Sequence, residues 1–358
     1  MDFGKFEIRY YSLLFALGFV LGYIILLKVF KKQGLQVELL DRLTIYMVLS
    51  TIIGARLGHC LFYEFDYYIQ HPLEIILPWK GRIGSDFEFT GFQGLASHGA
   101  AIGILIGIYL FARKTKSSYL WTMDMIVIVT ALAGASIRMG NLMNSEIYGE
   151  PTKTEHGFVF TSDLKQVLAH KYTGSIEKIS FTKSDAPSLK DQNGVPINAN
   201  ITFSRKIKDK EKIRQFAGFM LADDIRKYNF DNNIFLLNGD SINYQINRRN
   251  NQYILTAEIG GLPRYPTQIY EAISYVLIFL ILLGIFYYYD KRLKDGYIFG
   301  TFLVLLFTAR FLIEFIKENQ ETFEDAMSLN MGQLLSIPFV IAGIALVIWK
   351  WPKSKLEV

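Results

Sequence analysis

The sequence predicts an all-α polytopic membrane protein: seven transmembrane helices, with an α+β extracytoplasmic domain inserted after the fourth. Three observations carry this. Of 358 residues, 51% are hydrophobic and 20% charged, less charge than a soluble chain of this length usually holds. The apolar residues come in runs near the ~20 residues that cross a bilayer as a helix. Between the fourth and fifth runs, segment 147–266 changes texture and is rich in Lys, Asp and Asn.

The first run, 12–30, is long for a signal core and lacks a small-residue cleavage site, and Lys28, Lys31 and Lys32 cluster at its end. It reads as an uncleaved span. The others are 42–63, 93–112, 120–142, 268–289, 297–316 and 331–350. Lys and Arg in short loops mark the cytoplasmic side. They cluster after span one, between spans three and four (Arg113, Lys114, Lys116), between five and six (Lys291, Arg292, Lys294), and at the end (Lys350, Lys353, Lys355). These are alternate loops, which puts the N-terminus outside and the C-terminus in the cytoplasm. The loop 64–91 is acidic on balance: Glu64, Asp66, Glu74, Asp86 and Glu88 against Lys80 and Arg82.

Within the insert, ANITFSRKI and NYQINRRNNQYILTAEI alternate as strands do. KEKIRQFAGFMLADDIRKY places apolar residues at helical spacing. The organisation is therefore 1–146 with spans one to four, 147–266 as the insert, and 267–358 with spans five to seven. The lysines of a long loop leave the orientation undisturbed. The net charge of +5 fits inner-face lysines, so no nucleic-acid surface is needed to explain it. The single cysteine, Cys60, can form neither an internal disulfide nor a Cys-rich metal site, and a lone buried thiol usually fills space as a small apolar group.

With this orientation the intramembrane polar residues fall at one depth, that of the outer leaflet. They are Tyr10 and Tyr11 in span one, Arg56 and His59 in two, and His98 in three. Arg138 and Asn141 follow in four, Gln268, Tyr270 and Glu271 in five, Arg310 and Glu314 in six, and Gln333 in seven. Charges at such depth are costly unless they face the bundle interior and find partners. A cavity with three arginines asks for an anion, and the planar guanidinium fork suits phosphate. The phospholipid head group is the anion most available there. Blander readings stand beside this one. Arg310 and Glu314, at i,i+4, also suit a structural ion pair. His98 also suits a hydrogen-bonded packing role, and His59 and His156 have no supporting context. Gly54, Gly58, Gly99, Gly103 and Gly107 read as close-packing positions between helices.

Six blocks together resemble one family, the bacterial prolipoprotein diacylglyceryl transferases. RMGNLMNSEIYG at 138–149 is similar to that family's Gly-Arg-x-Gly-Asn-x-x-Asn-Gly-Glu-x-Trp-Gly signature. GARLGHCLFYE (54–64), SHGAAIG (97–103), RYPTQIYEA (264–272), RFLIEFIKE (310–318) and MGQLLSIP (331–338) resemble its other blocks, in the same order. Ser145 stands where the family has glycine, Tyr148 where it has Trp, and Ala100 where it has a second glycine after the histidine.

The resemblance implies a reaction in the bacterial inner membrane: the diacylglyceryl group of phosphatidylglycerol passes to the lipobox cysteine of a preprolipoprotein signal peptide, and glycerol phosphate leaves. The partners are those two substrates and the bilayer. Because the nucleophile belongs to the substrate, no cofactor or metal is implied. The thiol needs a base, for which imidazole is suited, and His98 is the candidate. Arg138 and Arg310 would hold the leaving phosphate by fixed electrostatics. Asn141 and Glu146 would orient Arg138 and the head group, Gly149 would allow close backbone approach, Glu314 would hold Arg310, and Tyr11 would bond the head group or ester. Arg56, Gln268, Tyr270 and Glu271 complete the lipid site. The insert would guide the protein substrate or serve as a structural decoration. A transporter with an outer-leaflet polar cavity is the rival reading, but repeated halves and polar groups at mid-bilayer, common in transporters, are missing from the sequence. A metal-dependent phosphatidyltransferase would show clustered aspartates, and the spans carry none.

Overall fold

The computed structural model describes residues 10–77, 79–80, 87–89, 94–154, 156–184, 194–228, 230, 233–237, 239, 241–289, 292–319 and 322–352. Arg82, Asp86, Lys291, Lys353 and Lys355 of the charge pattern, and the side chains of Tyr10, Tyr11, Lys80 and Glu88, lie outside the described set.

The described residues open with α1 (Tyr10–Lys32), α2 (Val37–Phe62), the short α3 (Phe65–Gln70), an antiparallel pair of β1 (Trp79–Lys80) and β2 (Glu88–Phe89), α4 (Ser97–Thr115) and α5 (Tyr119–Asn144). The insert contains β3 (Phe158–Val159), α6 (Ser162–Lys171), β4 (Ile176–Lys183), β5 (Val195–Phe203), α7 (Lys210–Gln215), a π-turn at Phe216–Met220, α8 (Leu221–Tyr228), β6 (Ile234–Phe235), β7 (Asn243–Arg249), β8 (Gln252–Gly261) and β9 (Pro263–Arg264). Helices α9 (Thr267–Tyr289), α10 (Tyr297–Ile313) and α11 (Met331–Trp349) complete the chain.

Among the described residues six helices are long and apolar enough to cross a membrane: α1, α2, α5, α9, α10 and α11, which makes this a polytopic membrane protein. The third expected span, 93–112, corresponds to α4, which is not among the six. Its ends are polar, with His98 in the first turn and Arg113 and Lys114 in the last. It starts after an extended Ala96 and stops at Lys116, whose φ of +56° closes the last turn in the left-handed region.

The chain divides into two compact units. One comprises 1–15, 135–274 and 308–337, and the other 16–134, 275–307 and 338–358. In the second unit, α2 and α4 meet through a seam of glycines. A Cβ on Gly99 would stand 2.3 Å from the Gly54 carbonyl oxygen and 2.6 Å from Gly58 Cα, and one on Gly103 would stand 2.3 Å from the Ser50 carbonyl oxygen. Only backbone without side chains fits, as the close-packing reading expects. Cys60 is buried at the end of this seam's helix, as an apolar filler would be. Also in this unit, the buried Asp124 of α5 accepts hydrogen bonds from the amides of Gly296 and Phe299, both at 2.7 Å. A side chain from another helix thus caps the N-terminus of α10 and satisfies donors the helix leaves unpaired.

In the first unit, a five-stranded antiparallel sheet runs in the order β4-β5-β8-β6, with β7 also paired to β8. β5 buries alternate residues Ile197, Ala199, Ile201 and Phe203, and β8 buries Leu255, Ala257 and Ile259. Leu164 and Leu168 of α6 and Ile213, Phe216, Leu221 and Ile225 of the 210–228 helical run cover that face. The stretch 243–259, legible as strand, folds into a hairpin around Asn250 and Asn251, both at positive φ (+50° and +61°). That is the turn whose twist matches paired strands. Asp224 is fully buried between Lys171 and the Tyr172 hydroxyl. The hydrogen bond to Asp224 pushes the Lys171 ammonium up to about 12.

Candidate active site

The first unit gathers the last turns of α5, the first turns of α9, the end of α10 and the start of α11. Backbone pairing fixes their junction. The Gly149 amide donates to Tyr265 O (2.9 Å), Tyr265 returns a bond to Glu150 O (3.1 Å), and Glu150 donates to Ile316 O (3.0 Å). Gly149 also bridges to Lys317. A Cβ on Gly149 would lie 2.6 Å from Ile316 O and 2.7 Å from Tyr265 Cβ, so close backbone approach is what this glycine permits. It is made to protein strands, a partner the sequence reading did not name.

Just before it the chain turns sharply. Ser145 and Ile147 both sit at φ +58°, a region costly for a residue with a Cβ and more so for a β-branched one. This accounts for the glycine that the resembling family places at position 145. Helix α9 holds the turn from its first residues: the Gln268 amide donates to Glu146 O (2.7 Å) and the Thr267 hydroxyl to Ile147 O (3.1 Å). Asn141 and Asn144 donate to the two oxygens of the exposed Glu146 carboxylate, at 3.3 and 3.2 Å.

The charged residues form one buried group. Arg138 Nε lies 2.9 Å from Glu271 Oε2, and Glu271 is fully buried. Among the described residues neither Glu271 oxygen has an aligned hydrogen-bond donor, so charge proximity rather than geometry holds the pair. Lys317 Nζ lies 4.0 Å from Glu271 Oε1 and 3.4 Å from Glu314 Oε2, and the lysine is 4% exposed. Glu314 also packs against the first turn of α11, where a Cβ on Gly332 would come within 2.6 Å of its carboxyl carbon.

The Arg310–Glu314 pairing does not form. Helix α10 stops at Ile313 and Glu314–Ile316 continue as a 3-10 turn. Three residues per turn bring Glu314 over Lys317 at i,i+3, and among the described residues Arg310 has no ion pair. Tyr270 is half-buried. Gln333 is used locally: Asn330 and Gln333 exchange side-chain bonds to each other's amides (2.9 and 3.1 Å), a capping box for α11. Tyr11 belongs to α1, and its side chain lies outside the described set.

Arg56 and His98 belong to the other unit. Arg56 is buried and donates to the carbonyls of Glu74 (2.6 Å) and Ile75 (3.0 Å), with Tyr68 under its guanidinium at 4.9 Å. It anchors the segment that follows α3. There the Tyr67 hydroxyl donates to Glu74 at 2.7 Å, and that bond, with burial, pushes the phenol up to about 12. His98 is exposed on the first turn of α4, beside the glycine seam, with no hydrogen bond among the described residues.

Sequence reading missed Lys317 and Arg264. Arg264 is 2% exposed and binds Asn233, the Gly149 carbonyl (3.3 Å) and Glu318 (2.7 Å), with Tyr148 at 4.6 Å. Both lay inside motifs already singled out, RFLIEFIKE and RYPTQIYEA, each as a cation within a few residues of an expected span.

A family model described as prolipoprotein diacylglyceryl transferase matches residues 1–349. The chain is similar to curated proteins named phosphatidylglycerol--prolipoprotein diacylglyceryl transferase. It is 33% identical to that of Bacteroides fragilis over 98% of this chain and 92% of the relative. It is 32% identical to that of Tolumonas auensis over 97% and 93%, and 30% identical to that of Chloroherpeton thalassium over 99% and 92%. With a membrane-helix scaffold and a buried basic group inside the signature block, the chain belongs to the prolipoprotein diacylglyceryl transferase family.

Proposed function

We propose that this transferase moves the diacylglyceryl group from phosphatidylglycerol to the lipobox cysteine of a preprolipoprotein, the first step of lipoprotein lipidation. In the reaction the substrate's sulfur forms a bond to the glyceryl carbon. The bond from that carbon to the phosphate oxygen breaks, and glycerol phosphate departs with the bonding electrons. The thiol proton passes to a base, and His98 is the proposed one because neutral imidazole suits that role. Its exposure on the first turn of α4 supports access to a substrate thiol.

The observation that carries the reading is the buried group Arg138, Glu271, Lys317 and Glu314, set among the blocks the family shares. Arg138 and Arg310 serve the departing phosphate. Asn141, Glu146, Gln268, Tyr270, Glu271, Glu314, Gly149 and Tyr11 shape the lipid end, and Arg56 holds the segment after α3 beside its own helix. In this reading α4 is a seventh span, the N-terminus is outside, the C-terminus is cytoplasmic, and the membrane is the bacterial inner one. Segment 147–266 is an extracytoplasmic domain between the helical parts 1–146 and 267–358, placed to guide the signal peptide.

The test is incubation of the purified protein with phosphatidylglycerol and a lipobox peptide. A diacylglyceryl thioether on the peptide and one glycerol phosphate per product are expected. Absence of the thioether with a folded protein would overturn the reading.

A further inference from the structure

Lys317 is a buried lysine to which the reaction as written gives no part. It is 4% exposed and stands between two carboxylates, 4.0 Å from Glu271 and 3.4 Å from Glu314. Those carboxylates are the natural partners of the two arginines assigned to phosphate. Yet Arg138 meets Glu271 through Nε alone among its ion-pair contacts, and Arg310 has no ion pair among the described residues. Burial holds the Lys317 ammonium below the usual lysine range, Glu271 and Glu314 oppose that shift, and Arg138 and Arg310 add to it, so the five charges share one field. Three cations (Arg138, Arg310, Lys317) against two anions (Glu271, Glu314) leave one net positive charge. A phosphodiester head group carries one negative charge. The next carboxylate, Glu146, is exposed and taken by two amides.

From this, and resting on the function proposed above, we infer that Lys317 is a positioning residue for lipid binding: it occupies Glu314 and the second oxygen of Glu271, so that the Nη groups of Arg138 and the guanidinium of Arg310 stay available for phosphate. Without it, the carboxylates turn to the arginines, the group becomes neutral overall, and the attraction for an anionic head group is lost. An arginine fork closed on a buried carboxylate is a strong competitor for phosphate, because both ligands use the same paired geometry. The backbone at 317 is independently fixed by its bridge to Gly149, so the side chain can be changed while the junction keeps its pairing.

The experiment uses the full chain in detergent with phosphatidylglycerol and a lipobox peptide, measuring KM for the lipid and kcat separately. Lys317→Met raises KM by about tenfold or more with a much smaller fall in kcat, as expected when binding rather than the reacting step is affected. Lys317→Arg retains most of the affinity. The deciding variant is Glu314→Gln with Lys317→Met, which removes one charge of each sign and restores the net positive charge; it recovers lipid KM to within a few-fold of the original. A double variant as weak as Lys317→Met, with a normal melting temperature, overturns the charge-balance role. Unchanged KM in Lys317→Met overturns it as well. A parent protein that makes no thioether would instead strike at the function, so the two failures are distinguishable.

Discussion

The buried charge group at the ends of α5, α9 and α10 and the glycine seam between α2 and α4 solve opposite problems. The first is built from long side chains. Arg138, Glu271, Lys317 and Glu314 reach across gaps of 2.9–4.0 Å and survive burial because opposite charges accompany one another. The second is built from missing side chains. Gly54, Gly58, Gly99 and Gly103 bring two backbones so close that an added Cβ would meet carbonyl oxygen at 2.3–2.4 Å or Cα at 2.5–2.9 Å. In the first region chemistry is adjustable and geometry is held elsewhere, by the Gly149–Tyr265–Ile316 backbone bonds. In the second, packing is the only content, and His98 stands exposed at the seam's edge. Substitutions should therefore change turnover in one region and stability in the other.

Arg138→Lys gives the largest expected effect. Transfer falls by about 10²-fold or more, the scale of losing one transition-state donor, while thermal unfolding in detergent stays near that of the parent, because lysine keeps the charge but not the fork. Near-full turnover would break the contrast. Gly99→Ala tests the other side. It loses about 1–3 kcal/mol of stability through overpacking against backbone, read as a lower melting temperature, with turnover of the folded fraction largely kept. Ser145→Gly sharpens the boundary between chemistry and scaffold. It relieves a left-handed residue at φ +58° and raises stability by about 1 kcal/mol, measured by the same unfolding assay, with no loss of transfer. Cys60→Ser has the smallest effect. Thioether formation stays within about twofold, since the reacting thiol belongs to the substrate and Cys60 is a buried filler; a folded but inactive variant would require a covalent enzyme intermediate.

Sequence periodicity made the glycine seam legible, because small residues at helical spacing have few other uses within a span. It also placed Arg138 and Asn141 on one face, and the strands and helical run of the insert. It failed where a helix stops. The i,i+4 argument for Arg310 and Glu314 presumed a continuing α-helix, and the 3-10 turn from Glu314 handed that carboxylate to Lys317. Arg56 is a second kind of miss. Its partners, the carbonyls of Glu74 and Ile75, lie in an irregular segment whose path no periodicity encodes, so the arginine looked available for an anion. Asp124 is a third: capping α10 from α5 is a long-range contact with no local signature.

The ribbon that carries Gly149 has a consequence for the length of the segment it closes. Residues 150–152 run antiparallel to 263–265, with Thr152 donating to Pro263 O at 2.8 Å and Pro151 opposite Arg264. The insert thus leaves and re-enters the scaffold through one doorway whose two posts are bonded to each other. Lengthening the segment beyond it costs little, about 0.6 kcal/mol of closure entropy per doubling. Such a doorway lets the length of chain beyond it change without moving the Gly149 junction.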